Sequence, residues 1–109
     1  MSTLRNSVQL IGNAGNAPEV KTFENGKKVA NLSLAINDVY TNSDGEKIKD
    51  TQWHRVVAYG KTAEIIEKFV TKGKEIAVEG KLATRSYDDK NGEKRYVTEV
   101  IVNEVILFN

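Results

Sequence analysis

Only one stretch of this chain carries helical spacing, and long runs of two-residue alternation lie on both sides of it. The apolar positions Ala63, Ile65, Ile66, Phe69 and Val70 fall at helical intervals. Thr62 is placed to cap the start, Glu64 sits in the first turn, Lys72 in the last, and Gly73 is the stop. The pattern predicts one amphipathic helix of about three turns with Phe69 in the core. Everything else with a period has the period of a strand, so the fold must place a single helix among β-strands.

The strand segments follow in order. Ser7 to Ile11 alternates weakly and ends in Gly12-Asn13-Ala14-Gly15-Asn16-Ala17-Pro18, a loop of residues that tolerate tight turns. Glu19 to Phe23 is a short extended piece before Asn25-Gly26, a dipeptide suited to a two-residue hairpin turn. From Lys28 to Asn37 the alternation is clean: Ala30, Leu32, Leu34 and Ile36 form a core face, and Val29, Asn31, Ser33, Ala35 and Asn37 the other. That second face is small and polar, which suits either a groove floor or a plain solvated sheet surface. A polar run from Tyr40 to Lys49 turns at Asp44-Gly45.

Thr51 to Lys61 is the strand with the most chemistry, holding the single Trp and the single His of the chain. Alternation places Trp53, Arg55, Val57 and Tyr59 on one face and Gln52, His54, Val56 and Ala58 on the other. Two readings stand for the first face: a surface for flat, negatively charged partners, or a core strand from which one Arg reaches out. After the helix, Lys74 to Tyr87 presents Ile76, Val78, Gly80 and Leu82 on one side and Ala77, Glu79, Lys81, Ala83, Arg85 and Tyr87 on the other. A polar turn around Asn91-Gly92 then leads into a returning strand from Arg95 to Phe108.

Five long strands with one helix after the third is the element order of the OB-fold, an all-β, five-stranded, partly open Greek-key barrel with its helix between strands 3 and 4. A β-sandwich normally has more strands and no such helix. At 109 residues the chain reads as a single domain, residues 1–109, with one core. On an OB-fold, ligands lie across strands 2 and 3 and the adjoining loops. Those segments hold Tyr40, Trp53 and Tyr59, and the fourth strand adds Tyr87. Each ring could stack on a base, an interaction typically worth about 1–3 kcal/mol. Arg55 and Arg85 each share a strand face with a ring and could pair with phosphate. Lys49, Lys61, Lys72 and Lys81 either extend that phosphate track or are ordinary solvated lysines. The formal net charge of +1 makes no case for nucleic acid by itself, so any basic footprint depends on where these cations sit.

Several chemistries are disfavoured. With no Cys there is neither a disulfide nor a thiolate metal site, and a lone His argues against zinc, so no cofactor is expected and a reducing cytoplasm is the natural setting. No apolar run approaches bilayer length, and Met1-Ser2-Thr3-Leu4-Arg5 is too polar to begin a secretory signal, so no membrane partner is expected. Glu79 and Glu99 could be imagined as paired carboxylates, yet no nucleophile and base accompany them, and no phosphate-cradling loop precedes the helix. An enzyme is therefore not expected.

At the level of motifs the chain resembles bacterial single-stranded DNA-binding proteins, over essentially their whole DNA-binding domain. The matching segments are Val8-Gln9-Leu10-Ile11-Gly12-Asn13 with Pro18-Glu19-Val20, then Asn25-Gly26 through Val29-Ala30-Asn31-Leu32-Ser33-Leu34-Ala35. They continue with Thr51-Gln52-Trp53-His54-Arg55-Val56-Val57, Tyr59-Gly60-Lys61, Lys72-Gly73, Val78-Glu79-Gly80-Lys81-Leu82-Ala83-Thr84-Arg85 and Tyr96-Val97-Thr98-Glu99-Val100. No one segment is specific, but their order and spacing together are. The resemblance implies a homotetramer that wraps single-stranded DNA without reading sequence, in replication, recombination and repair, associated with the nucleoid. It implies base stacking at Tyr40, Trp53, Tyr59 and Tyr87, where relatives often carry Trp or Phe, and a subunit contact at His54. Relatives usually continue into a linker and an acidic tail that docks other proteins, whereas this sequence ends Val105-Ile106-Leu107-Phe108-Asn109 as the last strand closes. Tail-dependent partners are accordingly not carried over. A tail-less OB-fold adaptor acting mainly through protein contacts is the alternative.

Overall fold

Three hairpins built on one turn geometry connect the strands in the computed structural model, which describes residues 4–108. Met1-Ser2-Thr3, read above as too polar for a signal, and Asn109 lie outside the described residues. A short 3-10 turn at Leu4–Asn6 precedes β1 (Val8–Ala14), β2 (Glu19–Thr22), β3 (Lys28–Thr41), β4 (Lys47–Tyr59), α1 (Gly60–Phe69), β5 (Glu75–Asp88) and β6 (Lys94–Leu107). In the β2–β3 turn the Phe23 amide donates to the Lys27 carbonyl and the Gly26 amide to the Phe23 carbonyl. The pairs Asn42 with Glu46 and Gly45 with Asn42 repeat this in the β3–β4 turn, and Asp89 with Glu93 and Gly92 with Asp89 repeat it in the β5–β6 turn. Each turn places its glycine at φ near +80, where an L side chain would be strained.

The strands hydrogen-bond in the order β1-β5-β6-β4-β3-β2, and a further β1–β3 pairing closes β1, β5, β6, β4 and β3 into a five-stranded barrel. β2 is an added strand on β3. All ladders are antiparallel except β4–β6, where Val56 and Val57 pair with Val100 and Ile101 in parallel. This is the OB-fold, with α1 between the third and fourth strands of the barrel. β1 runs further than its sequence alternation predicts, through Gly12 to Ala14. The residues read as a loop are needed to turn from β5 onto β3, where Asn13 and Ala14 pair with Ala35 and Leu34. A Cβ on Gly12 would collide with the Ala35 carbonyl oxygen, so the missing side chain is what permits the crossing.

The core is the inner face of the barrel: Ala30, Leu32, Leu34, Val56, Ala58, Ile76, Val78 and Val102 are buried and in mutual contact. α1 closes one end with Ala63 and Ile66, followed by Val70. Four helix expectations need correction, the first being Glu64, which with the helix starting at Gly60 lies past the first turn. Thr62 is not the cap: Gly60, at φ 62, turns the chain directly out of β4, so Tyr59 holds the capping position without a side-chain hydrogen bond. The helix therefore ends at Phe69, before Lys72, and Phe69 is 55% exposed rather than buried. The stripe Ala63, Ile66, Val70 fills the barrel mouth, leaving Ile65 and Phe69 on its flank. Lys28 donates a 2.7 Å bond to Glu67 and holds α1 to β3, which raises the Lys28 pKa above its ordinary value.

The long hairpins also depart from the barrel. β3 and β4 pair as far as Thr41 and Lys47, so both ends of the polar run from Tyr40 to Lys49 are strand and the Asn42–Glu46 turn alone is loop. β5 and β6 form a second arm reaching Asp88 and Lys94, and Leu82, expected on the core face, is half exposed beyond a bulge at Glu79/Gly80. At that arm's tip Asp89 accepts from Arg95 Nε at 2.9 Å and from the Asn91 and Glu93 amides. The Arg95 bond foremost holds its carboxyl below the usual range. Ile66→Ala should cost about 2–5 kcal/mol in a denaturant titration, whereas Phe69→Ala should cost about 1 kcal/mol or less. Equal losses would place Phe69 in the core after all.

Candidate nucleic-acid interface

The β3–β4 register fixes what stands on the outer face of the barrel. Trp53 lies opposite Ala35, Arg55 opposite Ser33, Val57 opposite Asn31 and Tyr59 opposite Val29. Cross-strand partners share a face, so the small side chains of β3 form a floor beside the large ones of β4. The floor read from the sequence is thus a groove floor at Asn31 and Ser33, which line adjoining recesses. Trp53 is 61% exposed and its ring lies against the backbone of Gly15, where even a Cβ would strike it. Gly15 is held by its own amide, which donates to the Ser33 carbonyl at 2.7 Å, and Asn16 Oδ1 accepts from the Ser33 amide.

Three recesses run on from the Trp53 end and share residues. The first is lined by Asn16, Asn31, Ser33 and Arg55 among others. The second, about 340 Å³, lies between Arg55, Arg85, Tyr87 and Val97. The third, about 260 Å³, has Val29 and Val57 in its lining, flanked by Phe23 and Tyr59, with Arg85 and Glu99 among its other walls. Trp53, Arg55, Tyr59, Arg85 and Tyr87 therefore belong to one continuous surface. Tyr40 does not share its face: it pairs with Ile48, five residues along β3 from Ala35, and so points to the opposite side of the β3–β4 arm, where it is exposed.

Lys49, Lys61, Lys72 and Lys81 surround this surface without lining its recesses, whereas Lys21 of β2 lines the third. Lys49 is on β4 at the same parity as Trp53, and Lys61 follows Tyr59 at the start of α1. Lys72 precedes Gly73, whose amide donates to the Ala14 carbonyl beside Gly15, so it stands at the Trp53 end. Lys81 is exposed on β5, two alternations before Arg85. His54 is half-buried at the opposite parity from Trp53, paired with the buried Leu34.

Sequence reasoning missed Phe23, Lys21 and the place of Glu99 in this surface. Phe23, in the turn after β2, and Lys21 of β2 line the third recess together with Tyr59 and Asn31. Glu99 is 4% exposed in the centre of the surface, in ionic contact with Arg85 Nε at 3.1 Å and Arg55 Nε at 3.7 Å. The signal available for Glu99 was its pairing opposite Ala83, two residues from Arg85 on the same face. Gly15→Ala should push the Trp53 ring off the loop and shift its emission to longer wavelength. Because Trp53 is the only Trp, the fluorescence spectrum of the free protein reads this directly, and an unchanged spectrum would mean the ring does not rest there.

Comparisons with known proteins bear on this surface. The model of the Single-strand binding protein family matches residues 5–108. The Single-stranded DNA-binding protein 1 of Chlorobaculum tepidum is 42% identical over 101 residues, which is 92% of this chain and 62% of that protein. A solved structure of a Plasmodium falciparum SSB complex with ssDNA superposes with a TM-score of 0.88 at 32% identity, covering 100% of this chain and 98% of that one.

Proposed function

The chain belongs to the single-strand binding protein family, and we propose that it binds single-stranded DNA without reading its sequence, as a non-enzymatic protector of the strand in replication, recombination and repair. The observation that carries this reading is the exposed Trp53 ring at one end of a continuous groove in which Arg55, Arg85, Tyr59 and Tyr87 follow. Exposed rings offer stacking faces that every base can use, and guanidinium groups between them meet phosphate or stack in turn. Nothing in such a set requires a particular base edge, so affinity is expected to be broad. Tyr40 joins this set as a stacking group on the far face of the β3–β4 arm, reached by a strand that passes around the arm. Lys49, Lys61, Lys72 and Lys81 supply phosphate contacts at the rim.

Residues 1–109 act in this reading as one DNA-binding domain, in the cytoplasm at the nucleoid, and assemble as a homotetramer. The support for assembly is apolar surface away from the groove. Ile11 and Ile106 are more than half exposed on the outer side of β1 and β6, beside a recess of about 320 Å³ that also takes in Leu10 and Ala77. Exposed aliphatic side chains gathered at one place are what a protein contact would cover. His54 is assigned to a subunit contact on its position away from Trp53.

Titration with oligo(dT) should quench Trp53 fluorescence, and the affinity should fall with salt as counterion release becomes less favourable. Trp53→Ala should weaken binding by about 1–3 kcal/mol while leaving the thermal melt in place. No quenching and no mobility shift at low salt would overturn the reading. Ile11→Glu should lower the sedimentation mass of the free protein below that of the parent; an unchanged mass would exclude this patch from the assembly.

A further inference from the structure

A carboxylate at the centre of a surface for a polyanion needs a reason, because it repels the ligand it underlies. Glu99 is such a group: it projects from β6 to the groove side, is 4% exposed, and contacts Arg55 of β4 and Arg85 of β5. Both contacts are made through Nε. A guanidinium is a planar fork whose Nε sits at the stem and whose two Nη groups sit at the far edge. Arg85 donates from Nε to Glu99 Oε1 at 3.1 Å, whereas Arg55 Nε lies 3.7 Å from Oε2, an ionic contact without a hydrogen bond that leaves this buried oxygen with no hydrogen-bond partner among the described residues. Both arginines keep half-exposed side chains whose outer edges remain available to a ligand. The three groups together carry one net positive charge, not two.

Resting on the reading of this groove as the DNA surface, we propose that Glu99 is a positioning and charge-tempering residue for strand binding. It fixes the two guanidinium groups that link the Trp53 end of the groove to Tyr59 and Tyr87, and it cancels one of their charges. The pair then meets the strand as about one phosphate-neutralising cation instead of two, and the centre of the groove holds bases by flat contact more than it holds the backbone. Fixing the side chains beforehand also reduces the rotamer freedom lost on binding. Burial gives the effect its size: a carboxylate taken out of water acts on its neighbours through a lower dielectric than a surface acid does. The arrangement differs from an ordinary surface ion pair in that one acid serves two arginines from different strands.

Glu99→Gln keeps the shape and can still accept from Arg85 while removing the charge; Glu99→Asp keeps the charge and shortens the reach. Binding of each variant to oligo(dT) is measured across a salt series, with circular dichroism and thermal melts confirming the fold. The Gln variant should bind several-fold tighter at low salt, with a slope of log K against log salt steeper by about 0.7, the value of one additional single-strand phosphate contact. The Asp variant should keep the parent slope and bind more weakly. A parent slope in the Gln variant, or weaker binding with no change of slope, would reduce Glu99 to a structural support and overturn the proposal. An independent readout needs no DNA. In the free parent, the Arg85 Nε proton, bonded to Glu99, should exchange with water more slowly than that of the exposed Arg5, and Glu99→Ala should abolish the difference. Equal exchange in the parent would refute the clamp itself, whereas a clamped parent that does not bind oligo(dT) would refute the groove's assignment.

Discussion

The pairing of β3 with β4 is the constraint on which the rest of the structure depends. It runs without interruption from Val29 opposite Tyr59 to Thr41 opposite Lys47. In an antiparallel ladder a slip of one residue exchanges the two faces. Here that would carry Val56 and Ala58 out of the core and Trp53 and Arg55 into it. The burial of Leu32, Leu34, Val56 and Ala58 on the inner face therefore does two things at once. It drives the barrel together, and it presents Trp53, Arg55 and Tyr59 outward at fixed spacing. Stability and the functional surface share one register.

What was legible in the sequence was what local periodicity encodes. The alternation of β3 and β4, the helix between them and β5, and the turn glycines all have short-range signatures, and together they specify the OB-fold. What was not legible depended on long-range geometry. Phe69 belongs to the helix's apolar pattern as fully as Ile66, and only the width of the barrel mouth decides which of them is covered. Thr62 is a good capping residue bypassed because Gly60 makes the corner two residues earlier. Gly12-Asn13-Ala14 reads as loop because its strand character comes from crossing β3, not from side-chain pattern.

The candidate site divides along the same line. Trp53, Arg55, Tyr59, Arg85 and Tyr87 were identifiable because strand parity puts each on an outward face, and tertiary structure brings those faces together. Tyr40 shows how far parity carries: it is on the correct strand and exposed, but its register with Ile48 sends it around the arm. Phe23 and Glu99 had weaker signals, one from a turn and one from a strand whose polar residues look solvated. Their neighbours come from other strands, which no local pattern reports.

Electrostatics explains why a nearly neutral chain can offer a surface to DNA. With a formal net charge of +1, the protein as a whole attracts a polyanion weakly, and the groove must rely on arrangement. The centre is built from rings and from two arginines sharing one buried acid, with Lys21 in the wall of one recess and Lys49, Lys61, Lys72 and Lys81 outside the recesses. Phosphate contacts carry the salt dependence and stacking carries affinity that salt leaves largely intact. In the proposed reading, a groove weighted toward rings at its centre retains hold of the strand as salt rises without favouring a sequence, because every base presents a face. In that reading the acid below the arginines belongs to the binding surface: by limiting the central charge, it would keep the share of binding that depends on phosphate from outgrowing the share that depends on bases.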